Sequence, residues 1–193
     1  MILNDQARWD QRHGQSQGTP PAARFLREII ESALWSLPCG RALDLACGKG
    51  HNAIYLAEHG FDVTALDISS VALEDGRRLA QEQNLRIDWR QCDLKAAVLP
   101  AAAFDLIVNF NYLQRSLMAQ IKRAVRIGGH VIFETYLIDQ AAVGHPKNPD
   151  YLLKHNELLD FFRDFRVLLY HEGKFTDGGA ASFRAGIFAQ RIS

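Results

Sequence analysis

The sequence predicts a doubly wound α/β fold, a mostly parallel seven-stranded sheet with helices on both faces and a C-terminal antiparallel hairpin. Three observations predict it. Short apolar runs alternate with helical segments between residues 41 and 136. A glycine loop, Gly48-Lys49-Gly50, separates the first run from the first of those helices. After residue 156 the rhythm changes to helix, strand, turn, strand. Alternating strands and helices require right-handed crossovers, and these build a parallel sheet covered on both sides.

The elements follow in order. Residues 1–23 divide into a polar helical start and a Gly/Ser/Pro-bearing stretch, Gly14 to Pro21, that reads as a loop. Phe25, Leu26, Ile29, Ile30, Ala33, Leu34 and Leu37 recur at helical spacing and are ended by Pro38 and Gly40, which predicts a helix packed on the sheet. Strands are expected near 41–46, 62–67, 86–90, 104–109 and 130–136, with helices near 51–59, 70–83 and 115–125 between them. Asn156 to Phe162 reads as a helix, and Phe165–His171 and Ala181–Gln190 as strands. They are joined through Gly173–Gly179, with the turn signal Asp177-Gly178-Gly179. Such a hairpin adds an antiparallel strand to the sheet edge. A chain of 193 residues, 48% apolar, has material for one good core. One domain is expected, with residues 1–38 as a helical cap and 39–193 as the core.

Charge decides what the glycine loop is built to hold. Gly48, Gly50 and Ala53 satisfy the spacing G-x-G-x-x-G/A, and Asp67 stands near the distance of a ribose-binding carboxylate. Asp44, however, lies just ahead of the loop. A pyrophosphate there would face like charge at close range in a partly dry cleft, a cost on the order of several kcal/mol. A cationic ligand gains instead. S-adenosylmethionine carries an ammonium and a sulfonium suited to Asp44, a carboxylate suited to the helix N-terminus after Gly50, and ribose hydroxyls suited to Asp67.

A third acid, Asp93, closes the run Ile87-Asp88-Trp89-Arg90-Gln91-Cys92-Asp93-Leu94. Each acid alone has an ordinary use as a helix or turn cap. Acids after three successive strands on one sheet edge suit a single nucleotide lying across them. With Phe104 to Tyr112 as a fourth strand and Arg126-Ile127-Gly128-Gly129-His130-Val131-Ile132-Phe133-Glu134 as a glycine turn and fifth strand, the chain resembles the class I S-adenosylmethionine-dependent methyltransferases over roughly residues 40 to 192. The resemblance implies a Rossmann-like sheet, S-adenosylmethionine as cofactor, and a cofactor site lined by Asp44, Ala46, Gly48, Gly50, Asn52, Asp67, Ile68, Asp93, Leu94 and Asn109. The nearest branch is that of the tellurite-resistance (TehB-like) methyltransferases. It is matched at Leu45-Ala46-Cys47-Gly48-Lys49-Gly50-His51-Asn52, at Tyr55-Leu56-Ala57, and from Glu157-Leu158-Leu159 to Tyr170-His171-Glu172-Gly173. The likeness stops there. Where that branch carries a histidine-containing segment, this chain reads Lys174-Phe175-Thr176-Asp177.

Composition narrows the acceptor. Twenty-two basic residues balance twenty-two acidic ones with no basic block, so no electrostatic footprint for nucleic acid is present. Cys39, Cys47 and Cys92 form no C-x-x-C pair, which argues against structural zinc and a disulfide scaffold; no metal is expected. The start MILNDQARWDQRHG lacks the apolar core of a signal peptide, and no stretch approaches the roughly 20 apolar residues of a membrane span. A cytoplasmic monomer or homodimer is expected.

Methyl transfer from a sulfonium needs in-line alignment at roughly 3 to 3.5 Å and exclusion of water. Residues expected near the acceptor are Asn109, Asn111, Tyr112, Arg115, Tyr136 and His145, the last in a lid-like loop, Val143 to Pro149. Tyr112, Tyr136 and Arg184 are the expected wall, and Trp9, Arg12 and His13 are placed to close over the cofactor. The Asn109-Phe110-Asn111-Tyr112 segment lacks the Asn-Pro-Pro-Tyr motif of many amino-methylating enzymes. The expected acceptor is a small uncharged or thiol-like molecule. The competing readings are a protein that binds the methyl donor without transfer, and a nicotinamide-dependent oxidoreductase.

Overall fold

The structure, a computed structural model, describes residues 5–15, 18, 20–177 and 180–193. Its strands are β1 (Arg41–Leu45), β2 (Asp62–Asp67), β3 (Ile87–Gln91), β4 (Phe104–Phe110), β5 (Val125–Tyr136), β6 (Arg166–Asp177) and β7 (Ala180–Gln190). They form one sheet in the order β3-β2-β1-β4-β5-β7-β6. The first five are parallel, and β7 runs antiparallel between β5 and β6. This is the doubly wound sheet that the alternation of elements predicts, with the last strand inserted inside the hairpin edge.

The central strands are apolar on both faces because both faces are covered. Leu43, Leu45, Ile107, Val131 and Phe133 point to one side, where they meet α5 (Met118–Ala124) and α7 (Glu157–Phe162) through Met118, Ile121, Leu158 and Phe162. Ala42, Ala65, Val108, Ile132 and Phe188 point to the other. There they meet α2 (Arg24–Ile30), α3 (His51–Glu58) and α4 (Ser70–Glu82) through Phe25, Leu26, Ile29, Ala53, Leu56 and Leu73. The period-two alternation thus sorts one sheet into two cores. α4 starts where Ser69 Oγ accepts the Ala72 N–H at 3.2 Å, an N-cap that satisfies one orphan donor.

Three expectations are corrected. The helix expected through Leu37 ends at Ile30, and Leu34 is 82% exposed. Ser32 Oγ takes the Leu34 N–H at 3.2 Å, a local bond that competes with the helix. The chain then runs out so that Trp35 packs edge-on against Phe188. β5 begins at Val125 rather than 130, because Gly128-Gly129 does not end the strand. Gly128 N–H donates to Arg191 O at 2.8 Å, Arg191 N–H donates to Gly129 O at 2.9 Å, and a Cβ on Gly129 would lie 2.9 Å from Asp105 O. β6 extends to Asp177 rather than His171, paired with β7 along its length. The turn signal at Gly178-Gly179 lies outside the described residues, as do parts of the loop from Gly14 to Pro21.

Phe188 ties the strand inserted last to the face carrying α2. It is fully buried between Trp35 and His130, with ring centroids 5.4 Å from each. Phe188→Ala is expected to destabilise the fold by about 3 to 5 kcal/mol in urea unfolding. A loss below about 1 kcal/mol, in the range of a surface change, would contradict this packing.

Candidate active site

The carboxyl ends of β1 and β2 bring two acids together in the interior. Asp44 is 1% exposed and Asp67 7%. Asp67 is a tie: one oxygen accepts the Gly48 N–H at 2.7 Å and the other the Ser69 N–H at 2.8 Å, so the loop after β1 is fixed to the loop after β2. Asp44 takes a backbone hydrogen bond from Ala53 in the first turn of α3. Its Oδ2 is buried with no hydrogen-bond partner. Burial, and after it the charge of Asp67, push the Asp44 carboxyl well above the usual carboxylate range. Positive charge brought near a buried carboxylate held beside a second one favours its ionised form.

The loop between them is a tight turn in which Gly50 N–H donates to Cys47 O at 2.9 Å and Cys47 N–H to Leu66 O at 3.0 Å. Gly50 is needed for another reason than ligand approach. Its φ is +75°, and a Cβ there would lie 2.1 Å from the Trp89 ring. A Cβ on Gly76 would meet the same ring at 2.7 Å and Lys49 O at 3.0 Å. Trp89, on β3, is therefore wedged against two glycines from different elements. Asn52 Oδ1 accepts the Ala23 N–H at 2.8 Å, anchoring the chain just before α2. Cys47 is buried and its thiol is pushed well up by desolvation and the nearby acids.

Asp93 lies past β3, where its Oδ1 accepts the Lys95 N–H at 2.9 Å. An open hollow of about 460 Å³ is lined by Ile68, Gln91, Cys92, Asp93 and Lys95, with Asp5 and Gln6 reaching in from α1 (Asp5–Gln15). α1 is polar apart from Ala7, Trp9 and Gly14 and buries no residue fully. It docks by directed bonds instead: Asp10 Oδ1 accepts from Ser69 Oγ at 2.6 Å and from Val71 N–H at 3.3 Å, and Asp5 pairs with Lys95. The Ser69 hydrogen bond holds Asp10 below its ordinary range. His13 reaches Gly48, where a Cβ would lie 3.3 Å from its ring, and its pKa is lowered by burial. Trp9 stacks on His13 at 5.8 Å, and Arg12 lies over Trp9 at 5.2 Å. The three residues expected to close the site form one layer.

Beyond β4, Asn109 is 1% exposed; its Nδ2 donates to Tyr112 O at 2.8 Å and its Oδ1 is buried without a partner. The expected acceptor residues separate into groups. Arg184 and Tyr136 are cross-strand neighbours, with the guanidinium 4.2 Å over the tyrosine ring and Nη2 2.9 Å from its hydroxyl. Arg184 Nη1 also reaches Asn111 Oδ1 at 2.7 Å and Glu134 Oε1 at 3.1 Å. Tyr112 turns elsewhere: its hydroxyl donates to Gln114, whose amide donates to Leu94 O at 3.1 Å, and desolvation pushes its pKa to about 12. Arg115 holds Glu157 through two nitrogens at 2.6 and 2.9 Å and the carbonyls of Asp150 and Leu152, so it clamps a loop. His145 contributes its carbonyl to the Gln140 amide at 3.1 Å. Sequence reasoning did not single out Glu134 as part of this wall, nor His171, whose Nε2 lies 3.1 Å from Glu134 Oε2. The available signal was an acid inside the otherwise apolar run Val131-Ile132-Phe133-Glu134.

Comparison with known proteins agrees with this geometry. A family model described as a methyltransferase domain matches residues 42–129, the stretch from β1 into β5. The probable S-adenosyl-L-methionine-dependent methyltransferase TehB of Haemophilus influenzae is 28% identical over 153 residues, 75% of this chain and 52% of the relative. Its crystal structure superposes with a TM-score of 0.69 at 26% identity, covering 80% of this chain and 58% of that one. The chain is similar to S-adenosylmethionine-dependent methyltransferases. Its likeness extends to TehB, and S-adenosylmethionine is the cofactor that this likeness implies. The chain spans about half the length of the curated relatives it matches. An S-adenosyl-L-methionine-dependent Diels-Alderase of Talaromyces variabilis is 45% identical over 107 residues, 52% of this chain and 37% of the relative. A structure from echinomycin biosynthesis, concerned with conversion of a disulfide bond into a thioacetal group, shares the fold. Its TM-score is 0.72 at 18% identity, covering 98% of this chain and 93% of that one.

The unpaired carboxylate has a measurable cost. A carboxyl whose folded pKa is raised holds its proton more tightly folded than unfolded, so it removes stability as pH rises from about 3.8 through the folded pKa. Asp44→Asn is therefore expected to stabilise the ligand-free protein at pH 7 by about 1 to 3 kcal/mol, the scale of an unsatisfied buried group. The difference should narrow toward pH 4. Urea unfolding at both pH values measures it, and a variant less stable than its parent at pH 7 would contradict the assignment.

Proposed function

We propose that the chain transfers a methyl group from S-adenosylmethionine to a small cytoplasmic molecule by in-line displacement. The observation that carries this reading is Asp44, a buried carboxylate with one oxygen unpartnered at the end of β1. Cation binding relieves it and phosphate binding aggravates it. When bound, the cofactor supplies an electrophilic methyl group on a sulfonium. Around it Asp44 faces the positive charges, and Asn109 Oδ1 offers a second acceptor. Asp67, which uses one lone pair on each oxygen for the loop, keeps capacity for ribose hydroxyls. Ile68 and Asp93 border the hollow assigned to the adenine, with Leu94 next to Asp93 in the chain, while Ala46, Gly48, Gly50 and Asn52 set the loop's shape. In this reading residues 1–38 are a cap on a single methyltransferase domain, and α1 closes over the cofactor.

The acceptor wall is assigned to Tyr136, Arg184, Asn111 and Glu134. Arg184 is neutralised by Glu134 at its side, so the wall carries no surplus positive charge; this supports an uncharged or thiol-like acceptor over an oxyanion. Tyr112 is assigned to the seam between β4 and the loop after β3. A second reading, cofactor binding without transfer, draws on the relative described as a Diels-Alderase. Formation of demethylated cofactor with any acceptor separates the two.

Calorimetry is expected to give micromolar affinity for S-adenosylmethionine and its demethylated product, of order −8 kcal/mol, with NADH far weaker. Asp67→Ala should weaken that binding by about 1.5 to 3 kcal/mol, the value of a hydrogen bond to a charged group. Preference for NADH, or unchanged affinity in a variant still folded by circular dichroism, would overturn the site.

A further inference from the structure

Three strands of the hairpin edge place His171, Gly186 and Glu134 in one row, with His171 opposite Gly186 and Gly186 opposite Glu134. A glycine inside a strand weakens it and marks a close approach. Here the approach is the imidazole itself. A Cβ on Gly186 would lie 2.2 Å from His171 Nε2 and 2.8 Å from Cε1, so only glycine lets the ring cross β7 to the carboxylate. Phe25 and Phe175 flank the ring, with centroids at 4.4 and 4.6 Å. Nε2 is buried and faces Glu134 Oε2 at 3.1 Å in poor alignment for a hydrogen bond, while the other carboxylate oxygen, Oε1, faces Arg184 at 3.1 Å. The charged groups around His171 are therefore Glu134 from β5 and, beyond it, Arg184 from β7. α2 and β6 face the ring with phenylalanines.

Resting on the methyl-transfer reading above, we propose that His171 is the general base of the acceptor site and Glu134 its positioning residue, and that the acceptor is a nucleophile that arrives protonated, a thiol or a phenol. A carboxylate acting on Nε2 favours the tautomer with the proton on that nitrogen, which leaves Nδ1 bare to accept one. The acceptor's S–H or O–H bond breaks, its proton passes to Nδ1, and its lone pair forms the bond to the methyl carbon. The carbon–sulfur bond of the sulfonium breaks with its electron pair returning to sulfur. One positive charge disappears there and one appears on the imidazolium, beside Glu134. Arg184 holds Glu134 in place from its other oxygen.

Two measurements test this. In the folded, ligand-free chain labelled with ¹⁵N-histidine, long-range ¹H–¹⁵N spectra of the neutral ring should show His171 protonated on Nε2, with that preference lost in Glu134→Gln. A ring protonated on Nδ1 overturns the proposal whatever the activity. In rate assays, His171→Gln should lose about 100-fold or more with alkanethiols and phenols, the ordinary reach of general-base catalysis. It should stay within about threefold of the parent with a thiol already ionised at assay pH, such as thionitrobenzoate. Equal loss with both classes makes His171 structural and overturns the proposal. Absent cofactor binding by calorimetry strikes the methyl-transfer reading instead, and the histidine spectra still decide the base.

Discussion

Two buried carboxylates at adjacent strand ends, Asp44 and Asp67, are the constraint around which the molecule is arranged: burial, and after it the charge of Asp67, raises the proton affinity of Asp44. Neither can move. Asp44 is held by the register of β1 between two parallel neighbours, and Asp67 by two backbone donors from loops on either side of it. The sheet must carry that repulsion without a ligand, and it does so with deep apolar cores on both faces. Stability made in the layers below is what permits an unfavourable arrangement at the edge.

The far end of the same edge is built on a different logic. Glu134, Arg184, Tyr136 and Asn111 satisfy one another, and their charges cancel. One side of the cleft is thus electrostatically hungry and the other saturated. The first side favours positive charge, and the second presents no surplus charge of its own.

The strands and their parallel order were legible because burial on both faces leaves near-continuous apolar runs, and the three acids were legible because each interrupts such a run at its end. Side chains that act by crossing space were not. His171 meets Glu134 through a missing Cβ on a third strand, a relation with no trace in local spacing. α1 shows no apolar stripe because it docks through Asp5, Asp10 and His13, so periodicity reads it as a frayed surface helix. Leu34 and Leu37 extend a helical pattern that one serine hydroxyl ends at Ile30. Tyr112 follows and Tyr136 ends a strand that opens on the same edge, with Arg184 on the terminal hairpin, but backbone position does not fix where a hydroxyl points.

The Trp89 wedge makes the glycine loop after β1 a shared possession of three elements. Gly50 shapes the loop, Gly76 belongs to α4, and the indole that excludes a side chain from both sits on β3. A larger residue at Gly76 is tolerable only with a smaller ring, one at Gly50 is strained by its φ of +75° even then, and a smaller ring leaves a void unless Gly76 changes too. Gly76 and Trp89 are therefore free to drift only together. Any lineage or library that varies the loop alone will find most of its paths closed by a residue lying two strands away from the first acid.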